Sequence, residues 1–462
     1  MSLPRHRDTE AKEAVITQAT TTTQFLSLDE IADRIETVLQ RSTADETEIV
    51  WLETKGGAAE NRNRKVDTRG HRERTILIRV IDRRRVGSHR TGSATVGELD
   101  SAVRSAVAQS RSREPLPGML HLPSDDSPIA PLDGLWDPAI AELGRDQVKS
   151  IYKPWLSQRG VVHLEWKTGR ISVFNSRGVR RQAQVTAANV QARIGRRPGG
   201  GRAAGAARTL ADLRPEAVVE RARQRHATGV VGELPEASCM VVFSPEAAGQ
   251  ICDILNRVAF SAIAYYHGSS FLRHHLDDQV FDRAFNLLDD GTDRTGLAFP
   301  FDLEGTAKRP VDLISKGTPK TPAVDQRQAA QLGLSATAHA IGGNDARALN
   351  LFLLPGEIDD QQMLQMADEG IWIGWLDQVE CYEPGRVQIR CHAGGVRRIT
   401  DGRLGQGLPD LIWEDSLLRA LSNLTGLGTS PVVRVSHDGI LGGISAPSVA
   451  IDGVSGWRLA DT

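Results

Sequence analysis

Several groups of residues in this chain are of types that do chemistry. His274 and His275 stand just before Asp277 and Asp278, and Cys391 is followed by His392. These are metal-ligating types, and a catalytic zinc needs three protein ligands and an open position for water. Adjacent histidines on a loop or strand point to opposite faces, so the pair reads as surface histidines beside acids. Cys381 and Cys391 lie in alternating apolar segments and read as core thiols. Asp302 and Glu304 are two apart, which on a strand puts them on one face. Paired carboxylates can do acid–base work. Beside Gly305 the blander reading is that they hydrogen-bond the backbone where a strand becomes a turn. Residues 62–90 hold eleven Arg and Lys against three acids. Such a run could meet nucleic acid or an acidic peptide. It has no aromatic residue for base stacking, and Ile76, Ile78 and Val80 alternate through it, so it reads as a strand with a solvated or interface face. Gly199-Gly200-Gly201 and Gly342-Gly343 have neither a P-loop nor a dinucleotide pattern around them and read as flexible loops.

The elements that must position these groups belong to a large chain. At 462 residues it exceeds one ordinary core, so two or three domains are expected. The net charge of −2 gives no global case for nucleic-acid binding. The four cysteines form no C-x-x-C pair, and there is no signal peptide and no apolar run near 18 residues. A cytoplasmic protein with reduced thiols is expected. Residues 1–26 are polar and Thr-rich and read as a disordered tail. Residues 27–232 read as a mixed α/β domain. Capping boxes at Ser27/Glu30 and Thr95/Glu98 open its first two helices. Strands are expected at residues 48–53, 75–81, 161–167, 170–174, 180–188 and 189–194, with Asn175-Ser176-Arg177-Gly178 as a turn. A helix is expected over 217–227. Residues 233–462 are Gly-rich with short apolar runs, as in a large, mostly antiparallel β domain. The fold class is therefore α+β.

The most organised stretch is residues 239–272. Met240-Val241-Val242-Phe243 is a short strand. Ser244-Pro245-Glu246 then starts a helix, with a cap, a first-turn proline and an acid at the positive end of the dipole. Ala247, Ile251, Ile254, Leu255, Val258 and Ala259 make its apolar stripe.

This stretch resembles the TldD/TldE (PmbA) metallopeptidase family. In the catalytic branch of that family a strand and a proline lead into a helix carrying His-Glu-x-x-x-His. Aligned from Pro245 to Ser269-Ser270, the motif positions fall on Asp253, Ile254 and Val258, and no His-Glu dipeptide occurs anywhere in the chain. The family's third ligand, a cysteine near the C-terminus, corresponds to the segment 424–431, which has no cysteine. Further similar motifs are Ser270, the run Phe301-Asp302-Leu303-Glu304-Gly305, and Asn350-Leu351 leading to Pro355-Gly356. The resemblance spans roughly residues 47–443.

The resemblance implies a TldE/PmbA-like chain without zinc ligands or catalytic residues of its own. It would pair with a zinc-bearing TldD-like subunit that trims unfolded peptides, such as leader segments of modified peptides, with no membrane role. Asp302, Glu304, Gly305, Asn350, Pro355 and Gly356 would then be scaffold. Two other readings stand beside it. One is a non-enzymatic binding or regulatory protein, like the gyrase modulators of the family. The other is a peptidase with relocated ligands, drawn from His267, His274 or His392.

Overall fold

The computed structural model describes residues 25–460 other than 63–64, 117–120, 125–128, 156–159, 197, 228, 230–237, 343–344 and 437–438. The expected tail therefore lies almost wholly outside the described residues, as does the boundary expected at 232/233. The fold is α+β and mostly antiparallel, as the sequence implies.

The first sheet has the order β3-β2-β1-β4-β5-β6. Its strands are β1 (Glu46–Arg62), β2 (Lys65–Asp82), β3 (Arg85–Thr91), β4 (Gly160–Asn175), β5 (Arg180–Ile194) and β6 (Gly201–Ala207). All neighbours are antiparallel. The strands are longer than the apolar alternation predicts. β1 and β2 pair without a break from Glu46↔Ile81 to Arg62↔Lys65, so the polar, basic run is strand throughout. Its backbone is paired while many of its side chains face solvent, which removes the alternation that periodicity detects. Gly56-Gly57 looks like a break but is a close approach. A Cβ on Gly56 would lie 2.0 Å from the Trp166 carbonyl oxygen. The four strand pieces expected between 161 and 194 are only two strands, and Gly201 starts a strand instead of belonging to a loop.

Helices cover one face of this sheet. α1 (Leu28–Arg41) and α2 (Val96–Arg111) both begin in the expected capping boxes. They bury Ile31, Ile35 and Leu99 against Ile49, Trp51, Ile76 and Ile78. Further along the same face, the helix Pro215–Gln224 packs Val218 and Ala222 near Val190 and Ala192. The opposite face presents Val50, Ile171, Val173 and Val185, which pack against Phe299, Phe301, Leu349 and Ile440.

Three sheets of shorter strands follow, two six-stranded and one four-stranded. In one, Ser238–Phe243 lies between Gly370–Ile373, to which it is parallel, and Val449–Ser455, to which it is antiparallel. In the second, Asn350–Leu353 pairs parallel with Gly443–Ala446 and antiparallel with Leu287–Asp289. The third is four-stranded, from Trp375–Glu383 to Trp457–Leu459. The helix Pro245–Val258 is central to this half and contributes to the largest core cluster.

Arg208 joins the first sheet to these later elements. It is 5 % exposed and has no carboxylate partner among the described residues. All of its donors go to carbonyl oxygens: Nε and Nη2 to Ala298 (3.1 and 2.8 Å), Nη2 to Leu297 (2.9 Å), and Nη1 to Thr186 (3.1 Å) and Ile440 (2.7 Å). Burial lowers its pKa to about 9, so it stays charged at neutral pH. Replacing Arg208 with Met would leave these carbonyls without donors, and the expected loss of stability is on the order of 3 kcal/mol. Arg208→Lys should recover only part of that, because an ammonium cannot reach all four acceptors. Urea unfolding checks both. A loss below about 1 kcal/mol for the Met variant would show that water replaces the guanidinium.

Candidate functional site

The central helix is built as its sequence suggests. Ser244 caps it, accepting from Ala247 N at 3.2 Å and donating to Gly374 O at 2.6 Å. Glu246, next to Pro245, is buried. Burial alone would raise its pKa, but Arg225 at 2.8 Å and the amide of Ala204 outweigh this and hold it below the usual range. Ile251 and Leu255 are 2 % and 0 % exposed in the main core.

Asp253, Ile254 and Val258, the positions matched to the zinc motif, do not fit a metal ion. The Asp253 carboxylate is buried and pairs with Arg257 Nε at 3.5 Å. Ile254 and Val258 offer only carbon and pack in the core. Among the described residues no three His, Cys, Asp or Glu side chains converge to hold a metal. His274 and His275 lie on a short helix, Leu272–His275, and not on the expected loop or strand, and His275 faces Asp278 at 3.6 Å. His267 is exposed beside Tyr266, and His392 is half-buried in the strand Gln388–Gly394, so these histidines do not meet. Burial pushes the thiols of Cys252 and Cys391 up to about 12, which leaves them inert. Cys381 and Cys239 are half-buried and form no disulfide.

The residues of the other resembling motifs hold backbone. Ser270 donates to Ala259 O at 2.6 Å and accepts from Leu272 N at 3.1 Å, closing the turn after the central helix. Asn350 accepts from Leu297 N at 2.9 Å and donates to Asp290 O at 2.7 Å. Gly356 N–H donates to Gly428 O at 3.0 Å, just after Pro355. Asp302 and Glu304 are in a turn, not along a strand, and their carboxylates go different ways. Asp302 accepts from Glu304 N, Thr306 N and Ala340 N at 2.9–3.0 Å. Gly305 sits at φ +80° in that turn, where a Cβ would strike Val179 at 2.4 Å.

Glu304 leads to a feature the sequence reading missed. Its Oε1 lies 2.6 Å from Arg79 Nη1, and its Oε2 accepts from Gln326 N at 3.0 Å. Arg79 Nη2 binds Glu48 at 3.0 Å. Asp325, the N-cap of the helix Gln326–Leu332, is close by. Glu48, Asp302, Glu304 and Asp325 are each under 5 % exposed, and carboxylates outnumber cations around Arg79. Burial first, and then repulsion from Glu304, pushes Glu48 and Asp302 up to about 7 and Asp325 up to about 6, against the pull of Arg79 on Glu48 and Asp325 and of Lys308 on Asp302. Arg79 itself is held more firmly charged by Glu48 and Glu304, despite burial. Glu48, Arg79, Glu304 and Asp325 line part of a cleft of about 700 Å³ between the first sheet and the loops opposite it, which Glu53, Glu73, Arg90, Lys167 and Asp345 also line. A charge at each of Glu48 and Arg79, inside the apolar runs 48–53 and 75–81, was the signal available in the sequence.

Residues 236–456 match the family model of the PmbA/TldA metallopeptidase C-terminal domain. A metalloprotease from Methanothermobacter thermautotrophicus is 22 % identical over 204 residues, which is 42 % of this chain and 44 % of that protein. The chain thus spans less than half the length of this relative. Among solved structures, TldE from Thermococcus kodakarensis superposes with a TM-score of 0.78 at 18 % identity, covering 91 % of this chain and 99 % of that one. A proposed modulator of a DNA gyrase from Thermotoga maritima gives 0.78 at 18 % identity, covering 93 % and 99 %. Another from Bacteroides thetaiotaomicron gives 0.75 at 16 %, covering 94 % and 98 %. Together these establish a shared fold, and residues 236–456 carry the C-terminal domain of the PmbA/TldA metallopeptidase family.

Two outcomes are expected. Leu255→Asp should unfold the chain, because a buried, unpaired carboxylate is costly. A folded variant with native circular dichroism would show that this helix face is not core. The second outcome concerns pH. Glu48 titrates higher in the fold than its unfolded value of 4.5, so its contribution to stability is full below about 4.5 and is lost as pH rises through about 7. Glu48→Gln cannot ionise, so relative to the native chain it should gain about 1–3 kcal/mol between pH 5 and 8. Parallel stability curves over this range would refute a raised Glu48.

Proposed function

We propose that this chain is the non-catalytic, TldE/PmbA-type subunit of a heterodimeric zinc metallopeptidase. The observation that carries the proposal is the central helix: at Asp253, Ile254 and Val258 it has an ion pair to Arg257 and core packing where the catalytic branch would have its zinc motif. The shared fold with TldE from Thermococcus kodakarensis supports the same reading. The zinc would belong to a TldD-like partner, and this chain supplies no ligand, nucleophile or general base.

The substrate in this reading is an unfolded peptide, such as the leader of a modified peptide. An extended chain can add to a strand edge through its backbone, which gives affinity with little sequence selection. Arg85–Thr91, Arg403–Gly407 and Trp375–Glu383 each end a sheet. Shaping the chamber wall and its entrance is then this subunit's part in the reaction, in the cytoplasm. Among the described residues no helix is long and apolar enough to cross a membrane.

Native mass spectrometry of the tagged chain from its own host, with metal analysis of the same sample, tests the proposal. A one-to-one complex with a second, related chain and about one zinc per complex is expected. Zinc on this chain alone, or metal-free homo-oligomers without a partner, would overturn it. In the assembled complex, Asp253→Ala and Val258→Ala should keep peptidase activity within about twofold of the native complex, because neither side chain is proposed to touch zinc. Loss of activity with the complex intact would refute the non-catalytic assignment.

A further inference from the structure

A second cleft lies where β5 and β6 meet the central helix and the strands Trp375–Glu383 and Val432–Val435. Its volume is about 280 Å³, at the small end of ligand sites and suited to one residue of a chain. The lining is polar. Glu165, Glu246 and Asp377 are its carboxylates, and each has a cation of its own: Lys167 at 2.6 Å, Arg225 at 2.8 Å and Arg202 at 2.9 Å. Asp253, further along the helix, pairs with Arg257.

Arg434 is different. It lines the cleft, and among the described residues no carboxylate lies within ion-pair distance of it. Its one hydrogen bond runs from Nη1 to the Glu246 carbonyl oxygen at 3.3 Å, so Nε and Nη2 have no acceptor. Burial lowers its pKa, against the longer-range pull of Asp253, Glu246 and Asp377 and with Arg202 adding to the lowering. The central helix makes room for this side chain. Gly249 stands in the helix interior, where glycine is costly relative to alanine. A Cβ there would lie 2.9 Å from Arg434 Cδ, so the arginine stem is seated where the helix lacks a side chain. Gln250 on the same helix and Gln191 on β5 also line the cleft, and neither side chain makes a hydrogen bond among the described residues.

We propose that this cleft binds a carboxylate carried by a peptide, with Arg434 as its charged partner and the Gln250 amide as a further donor. A guanidinium with two open donors matches the two oxygens of a carboxylate. A monoanion supplies the counter-ion that Arg434 lacks, whereas a ligand cation would add to an unpaired positive charge. A phosphate dianion would bring more charge than Arg434 balances, beside carboxylates that already have their cations. A peptide carboxyl terminus and an aspartate or glutamate side chain share the required chemistry. That the carrier is a peptide rests on the subunit reading above, and the unpaired guanidinium does not.

Isothermal titration of the full chain tests this with four probes: acetyl-Ala-Leu with a free carboxylate, its carboxyl-terminal amide, Nα-acetyl-glutamate N-methylamide, and inorganic phosphate. At neutral pH at least one of the two carboxylates should bind about tenfold more tightly than the amide. Tighter binding of the dipeptide acid identifies a chain terminus as the ligand, and tighter binding of the glutamate compound identifies a side chain. Arg434→Gln should lose the preference for acid over amide. Gly249→Ala keeps the charge but displaces it from its seat, and should weaken the favoured carboxylate about fivefold or more. It carries the same test where Arg434→Gln does not fold. Equal affinity for acid and amide in the native chain overturns the proposal, as does the absence of carboxylate binding up to about 10 mM. Phosphate binding as tightly as the carboxylates also overturns it, and so does native affinity in either folded variant. The titration needs neither a partner nor zinc, so its outcome is separate from that of the complex.

Discussion

A buried guanidinium ties the first sheet to the later elements of this chain. Arg208 follows directly on β6, yet its donors reach Thr186 in the same sheet and Leu297, Ala298 and Ile440 outside it. Burying a cation without a counter-ion is unfavourable. It is tolerated here because every N–H finds a carbonyl that would otherwise be unpaired, and because a planar fork can serve several acceptors at once. This contact adds to the apolar packing of Val50, Ile171, Val173 and Val185 against Phe299, Phe301, Leu349 and Ile440. The Gly439–Leu441 turn that Arg208 grips is one wall of the cleft.

Arg79 makes a second joint on the opposite principle. It binds Glu48 within the sheet and Glu304 across the junction. Arg208 has no carboxylate partner among the described residues, whereas Arg79 is outnumbered by acids. In a low-dielectric junction such a surplus favours protonation of the carboxylates.

Much of the fold can be read from the sequence because it depends on local signals. Both capping boxes, the Asn175–Gly178 turn and the Ser244-Pro245 helix start lie within a few residues of the structure they specify. The strand ends are not legible, because residues 65–74 are held by backbone pairing and by contacts such as Arg72 and Arg74 with Glu53, not by an apolar face. The Arg79 cluster is illegible for a different reason. Glu48, Arg79, Glu304 and Asp325 are far apart in the chain, and only tertiary packing brings them together. A lone charge in an apolar strand marks a buried ion pair, but it does not name the partner.

The motifs shared with the family also differ in what they can say about function. Ser270, Asp302 and Asn350 each satisfy backbone groups at turns, and Gly305 permits a backbone geometry that a side chain would block. These are requirements of the scaffold, and any chain with this fold must meet them whether or not it performs catalysis. The helix positions Asp253, Ile254 and Val258 are under no such demand, since another residue there would leave the turns intact. On the proposed reading, fold and reaction are specified by different residues of the same stretch, and this chain keeps the first while carrying only carbon and an ion pair where the second would be.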